Sequence, residues 1–207
     1  MFVSLSAPRW VVRWQVRGLL LLGCQQQALE RLTRALERDP VDAWALATMA
    51  HVWAALGEKP AALRLLAQWV AVKPDQAAGW FNFGFLSEEQ GLLEQAEDAF
   101  QRAVAIDPQF DRAWYGLALC LIRQRRFDEA IAALRKNTEL QPMSPFGWYQ
   151  LARVHALRQE PEEATKIIRH LRRFEPKVAA QLEREMGLGA FGPHAGPAPG
   201  EAALNTQ

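Results

Sequence analysis

Charge of one sign is what this sequence most lacks. Its 24 lysines and arginines nearly balance 23 aspartates and glutamates, leaving a formal net charge of +1. Nothing global therefore draws the chain to nucleic acid or to an acidic surface. Long apolar runs are missing too, so no segment is expected to span a bilayer. Cysteine is limited to Cys24 and Cys120, which do not assign a redox compartment. The four histidines are scattered. Neither they nor the cysteines pair at metal-ligand spacing, and no glycine-rich phosphate loop occurs. Catalysis needs a nucleophile, a base and a stabiliser held together; no such cluster is visible, and neither enzyme activity nor a cofactor or metal is expected. Half of the 207 residues are hydrophobic, enough to bury a substantial core.

What the chain does contain is a period. Pro40, Pro74, Pro108, Pro142 and Pro176 follow one another at a step of 34 residues. Ala28, Ala62, Ala96, Ala130 and Ala164 keep that step, as do Trp80, Trp114 and Trp148. A constant step of this length marks a solenoid of stacked helix pairs. With Gly23, Gly57 and Gly91 as the turn inside each pair, the units run over about 9–42, 43–76, 77–110, 111–144 and 145–178. The third unit sets Trp80, Phe83, Gly84 and Ser87 at helical spacing, then Ala96, Phe100, Ala103 and Ile106 on a second helix. Asp107-Pro108 ends that helix, because proline cannot continue it. Ser144-Pro145 opens the fifth unit as an N-cap followed by the first helical residue. Small residues at Gly84, Ala118 and Ala152, and at Ala96, Ala130 and Ala164, let the two helices of a pair approach closely. Arg125 and Gln159 stand where the turn glycine belongs. Cys24 and Cys120 fall three repeats apart. With helices stacked ~8–10 Å apart, they lie beyond the ~7 Å Cα reach of a disulfide.

These residues resemble the tetratricopeptide repeat, W-x-x-L-G-x-x-Y followed by A, F, A and P. The resemblance implies an all-α fold, a right-handed superhelical solenoid of five helix-turn-helix repeats over residues 9–186. A capping helix at 178–186 closes it, and a disordered Gly/Pro/Ala-rich tail follows at 187–207. The first unit is degenerate, with Val12 and Val16 where the tryptophan and the small residue belong. Trp69, Asn137 and Leu171 occupy a position that is usually alanine. Trp69 and Leu171 predict wider local helix spacing, and a buried Asn137 needs a polar partner.

The N-terminus admits two readings. Arg9, Arg13 and Arg17 precede the apolar run Gly18–Gly23, and Leu21-Leu22-Gly23-Cys24 is similar to the lipobox of bacterial lipoproteins. In that reading Cys24 is lipidated after removal of residues 1–23. The run is shorter than the ~7–15 residues of a signal core. The repeat register explains the same letters as a helix: residues 9–29 align without a gap to residues 43–63, Trp10 with Trp44 and Gly23 with Gly57.

In the family this chain resembles, the first helix of each pair lines a concave surface. The inward positions in this register are Trp10, Arg13, Trp14 and Arg17; Trp44, Thr48 and His51; Phe81, Asn82 and Phe85; Arg112 and Tyr115; and Phe146, Tyr149, Gln150 and Arg153. Aromatics and arginine are enriched at interface hot spots. The expected partner-binding set is therefore Arg13, Arg17, Trp44, His51, Phe81, Asn82, Phe85, Arg112, Tyr115, Tyr149 and Arg153, a lining suited to an extended or helical peptide with apolar anchors. The competing reading packs aromatics such as Tyr115 and Tyr149 between neighbouring first helices. Chaperone-binding members of the family use a carboxylate clamp; here only Asn82 and Arg112 fit it, with Ala47, His51 and Gly116 in the other places. Lys166, Arg169, His170, Arg172 and Arg173 read as a solvated basic face, without the interleaved aromatics of a nucleic-acid site. The expectation is a non-catalytic, cytoplasmic scaffold or adaptor for a protein or peptide, with no nucleic-acid partner. The alternatives are a periplasmic, membrane-anchored envelope assembly factor lipidated at Cys24, and a homo-oligomer formed through Trp10, Trp14 and Leu19–Leu22 of the first repeat.

Overall fold

The structure is a computed structural model that describes residues 8–187; among them are eleven helices and no strand. The tail expected at 187–207 lies, from residue 188 onward, outside the described residues. The chain divides into two compact units, residues 1–124 and 125–207. The first holds α1 (Arg9–Leu21), α2 (Gln25–Arg38), α3 (Ala43–Ala55), α4 (Lys59–Val72), α5 (Ala77–Glu89), α6 (Leu93–Ile106) and α7 (Asp111–Arg123). The second holds α8 (Phe127–Leu140), α9 (Pro145–Leu157), α10 (Pro161–Leu171) and α11 (Pro176–Glu185). In the first unit each helix packs on the one before it; in the second the same holds, and α11 also touches α9.

The turns explain where helices stop. After α1, Gly23 N–H donates to Leu20 O at 3.1 Å and Cys24 N–H to Leu19 O at 2.8 Å. This crossed pair of bonds satisfies carbonyls the helix end leaves over. It requires a left-handed residue, and Gly23, Gly57 and Gly91 sit at φ 73°, 86° and 75°. Gln159 makes the same pair of bonds after α9, to Ala156 O at 3.0 Å through its own N–H and to His155 O at 2.9 Å through Glu160. It does so at φ 62°, and Arg125 stands at φ 61°. The turn geometry is thus kept even where a Cβ opposes it.

The proline and tryptophan columns are one device. Trp80 Nε1 donates to Pro74 O at 2.8 Å, Trp114 Nε1 to Pro108 O at 3.0 Å and Trp148 Nε1 to Pro142 O at 2.9 Å. The proline breaks one helix, and the indole of the next ties down the carbonyl at the break. Each such bond contributes about 1 kcal/mol.

Helix α1 is integral to the first unit. Val16 is fully buried with Ala28, Leu32 and Ala45, and Val12, Leu19, Leu20, Trp44 and Met49 pack around them. Asp42 caps α3, its carboxylate accepting from the N–H groups of Trp44 at 3.0 Å and Ala45 at 3.3 Å, a contribution of about 1 kcal/mol. Trp69 is accommodated by a small residue on the next helix. Gly79 on α5 faces the indole so closely that an added Cβ would lie 3.3 Å from the ring, and Trp69 Nε1 donates to Gln76 Oε1 at 3.0 Å. Asn137 is buried against Gly147 of α9 in the same way. Helix α11 starts at Pro176, before the expected residue 178, since proline suits the first helical position.

Candidate functional site

Three alanines on α3 leave a hollow in the first unit. Ala47, Ala50 and Ala54 recur at helical spacing and face Asn82, Phe85 and Leu86 of α5 across a concavity of about 180 Å³, with Leu66 of α4 beneath and His51 and Glu89 at its edge. Minimal side chains on one helix and an aromatic wall on the other make room for an apolar side chain from outside. Phe85 is 48% exposed and stacks on Phe81 with ring centroids 6.3 Å apart. Lys59 Nζ lies 3.4 Å from Glu89 Oε2, so one end of the hollow carries an ion pair. His51 and Asn82 add polar groups beside an otherwise apolar surface, the usual make-up of a recognition pocket.

The structure thus brings His51, Asn82 and Phe85 together. Phe81 goes elsewhere: it is 6% exposed, packed 5.0 Å from Phe110 and 5.9 Å from Phe100 between ring centroids. The Arg112 guanidinium covers its face at 4.6 Å. Both residues expected in the groove are therefore occupied with each other, and Phe81 acts as the shelf on which Phe85 rests. Trp44 is half-buried, with Arg13 5.2 Å above its ring and the Arg13 Nη2 atom 3.9 Å from Asp42. The Thr48 hydroxyl donates to Trp44 O at 2.7 Å and so is spent on its own helix. Arg17 is exposed, and Tyr115 is half-buried.

In the second unit one inner residue, Tyr149, meets α11. Tyr149 Oη donates to Glu185 Oε2 of α11 at 2.7 Å. Arg153 lies 5.7 Å from the Tyr149 ring centroid. The Tyr149 hydrogen bond, then that of Gln181, holds the Glu185 carboxyl below the usual carboxylate range, with Arg153 and Arg184 adding to it. Phe146 remains exposed and Gln150 half-buried.

Sequence reasoning missed the alanines and Glu89. Their signal was present in the letters: Ala47, Ala50 and Ala54 fall on one stripe of α3, but small residues were read only as aids to close packing. Cys24 is the half-buried N-cap of α2, and Cys120 is buried. Burial, then the negative charge of Glu88, pushes the Cys120 thiol up to about 12, which makes it a poor nucleophile. Among the described residues no three of His, Cys, Asp and Glu gather as metal ligands, and no helix is long and apolar enough to cross a membrane.

Comparison with known proteins places this geometry. A family model, the tetratricopeptide repeat, matches residues 25–80 and 88–145. Over 88 residues the chain is 34% identical to DnaJ homolog subfamily C member 3 of Mus musculus; the match covers 42% of this chain and only 18% of that protein. Among solved structures, MamA from Desulfovibrio magneticus superposes with a TM-score of 0.71 at 20% identity, covering 84% of this chain and 94% of that one. YrrB, described as having an unusual peptide-binding site, gives a TM-score of 0.72 at 19% identity, covering 82% and 88%. A tetratricopeptide repeat protein from Parabacteroides merdae gives 0.75 at 19% identity, covering 86% and 73%. At these identities the likeness shows the fold, an all-α helical repeat solenoid.

Proposed function

The chain belongs to the tetratricopeptide repeat family, and on that premise we propose that it is a non-catalytic scaffold that holds a partner protein by a peptide segment in the α3–α5 concavity. The observation that carries this reading is the pairing of a hollow of about 180 Å³ with a half-exposed Phe85 at its wall. An apolar anchor of the partner fills the space above Ala47, Ala50 and Ala54 and lies against the Phe85 ring. The His51 ring and the Asn82 amide supply hydrogen bonds to the partner's main chain, which orient it without demanding a particular sequence. Because α3 and α5 are held by their own core contacts, the hollow exists before the partner arrives, and little ordering cost falls on the scaffold. Affinity in the micromolar range, about −8 kcal/mol, suits one anchor and a few polar contacts.

A phage-displayed random peptide library selected on the whole protein tests the reading. Peptides with a large apolar residue at a constant position are expected. Phe85→Ala should weaken them about thirtyfold, equivalent to ~2 kcal/mol for a hot-spot aromatic. Ala54→Phe, which fills the hollow and removes nothing, should weaken them as much. Circular dichroism should show both variants folded. Selected peptides that bind both variants as well as the parent protein would remove this concavity from the account.

A further inference from the structure

Helix α1 presents a face, read from its register as inward, that nothing in the described residues covers. Trp10 is 65% exposed, Trp14 68% and Leu21 88%. Residues 10, 14, 17 and 21 fall on one stripe of an α-helix, opposite the stripe that buries Val16. Exposed tryptophans are ordinarily found with a partner, because each carries a large apolar surface. The charge around them has one sign on this helix. Arg9, Arg13 and Arg17 are its only charged residues, and no acidic residue occurs in the sequence before Glu30. Asp39 answers Arg9 at 2.6 Å and Asp42 lies 3.9 Å from Arg13, while Arg17, in the middle of the stripe, is exposed and has no acidic partner among the described residues. On α2, Arg31 also faces solvent, with Nη1 3.1 Å from Gln15 Oε1.

We propose that this uncovered face of α1 docks on an anionic lipid surface, with the helix lying in the plane of the interface. Tryptophan is the side chain that settles at the boundary between headgroup and acyl chain, apolar ring inward and N–H toward the headgroups. Trp10 and Trp14 enter to that depth, Leu21 and the exposed Leu22 follow them, and Arg17 reaches back along its own stem to pair with lipid phosphate. A second copy of the chain fits this face less well. Pairing α1 with α1 would bring Arg17 of each copy into one interface, with no acidic residue on either helix to answer it. The docking is peripheral: α1 is 13 residues long, far short of a span, and its buried stripe stays in the core of the first unit. Nor does it use the α3–α5 concavity, so it stands or falls apart from the peptide-binding reading.

The test is co-sedimentation of the whole protein with vesicles of phosphatidylcholine alone or of phosphatidylcholine mixed with phosphatidylglycerol. Binding is expected to the mixed vesicles only, and to fall as salt shortens the range of the electrostatic attraction. Trp10→Ala/Trp14→Ala should reduce partitioning roughly tenfold or more, and Arg17→Glu roughly fivefold or more. All three positions are exposed, so the folded state should survive, as circular dichroism would show. Equal partitioning of parent and variants, or none to the mixed vesicles, overturns the proposal. So does light scattering in which the protein grows with concentration, the tryptophan variant does not, and vesicles bind neither: the face would then belong to a second copy.

Discussion

Helices α5 and α9 occupy the same place in the repeat, and their inward and outward sides have diverged differently. On the side that meets the neighbouring second helix they are nearly the same. Trp80 and Trp148 both tie down a proline carbonyl. Gly79 and Gly147 both make room for an oversized residue, Trp69 and Asn137. Ser87 and His155 are both buried, one donating to Phe83 O at 2.7 Å and the other 2.6 Å from Glu160 Oε2. On the free side little agrees. Phe85 of α5 stands open beside a hollow, whereas Arg153 of α9 lies by a tyrosine already bonded to α11. Packing constrains the first side to a few solutions, since interiors tolerate neither voids nor overlap. The second side is constrained only by what it meets, and so it is there that a repeat acquires a task.

The largest effect is expected where the shared side is broken. A Cβ on Gly147 would collide with Asn137 Oδ1 and come within 3.0 Å of Thr138 Cγ2, both on buried residues. Gly147→Ala should therefore cost about 2 kcal/mol in urea unfolding, even though alanine is the better helix former. At Gly79 the nearest ring atom would be 3.3 Å away, a contact that small shifts relieve, and Gly79→Ala should be nearly neutral. The double change Asn137→Ala/Gly147→Ala restores the alanine usual at position 137 and should recover most of the loss. A double variant as unstable as Gly147→Ala alone would show that the two residues are not trading volume.

That trade also marks how far the letters could be read. The period of proline, alanine and tryptophan sufficed to read an all-α helical repeat solenoid, because each column answers to a local rule about helix ends or close approach. The columns did not reveal that proline and tryptophan share a hydrogen bond, since the bond joins a side chain to a carbonyl and leaves no preference for the proline side chain itself. Trp69 and Asn137 were legible as oversized, but the glycine that accommodates each lies on the next helix, and a single helix pattern does not show which residues face each other across a gap. The same blindness governed the site. Phe81 and Phe85 are four apart on one helix face, indistinguishable by period. Phe110, from the loop ahead of α7, covers the first and leaves the second open. Tyr149 looked like its counterpart Phe81 because the sequence shows α11 only as a cap that closes the last pair, not as a partner for Tyr149.

A smaller effect sharpens the comparison at the turns that follow the two helices. Gly91 and Gln159 hold φ of 75° and 62° and make the same pair of closing bonds. A side chain in this region costs about 1–2 kcal/mol through its Cβ, offset in part because glycine leaves the unfolded chain more freedom to lose. Gln159→Gly should thus raise stability by up to about 1 kcal/mol, and Gly91→Gln should lower it by a similar amount, both read from the thermal midpoint. Opposite signs are required; a loss at both positions would mean that Gln159 makes contacts worth more than its backbone strain.

The smallest effect tests whether the free side of α9 is held by the Tyr149–Glu185 bond. The hydrogen bond from Tyr149 is the first cause of the lowered Glu185 pKa, ahead of the bond from Gln181 and the charges of Arg153 and Arg184. A carboxyl lowered in the folded state favours folding above its ordinary titration range, and that contribution fades as pH falls through the lowered value. Helix α11 should therefore loosen as acid protonates Glu185. Tyr149→Phe removes the donor and leaves the ring, so the Glu185 carboxyl, followed by NMR titration, should move up toward its ordinary value without reaching it, because Gln181 and the arginines remain. Glu185 is exposed, and the effect on overall stability should be slight, so amide exchange in α11 is the sharper readout: faster in the variant at neutral pH, and equal to the parent once Glu185 is protonated. Unchanged titration and exchange would leave α11 held by its buried Ala179 and Leu182 and by the Arg172–Glu183 ion pair. The occupied inner face of α9 would then owe nothing to the residue that distinguishes it from α5.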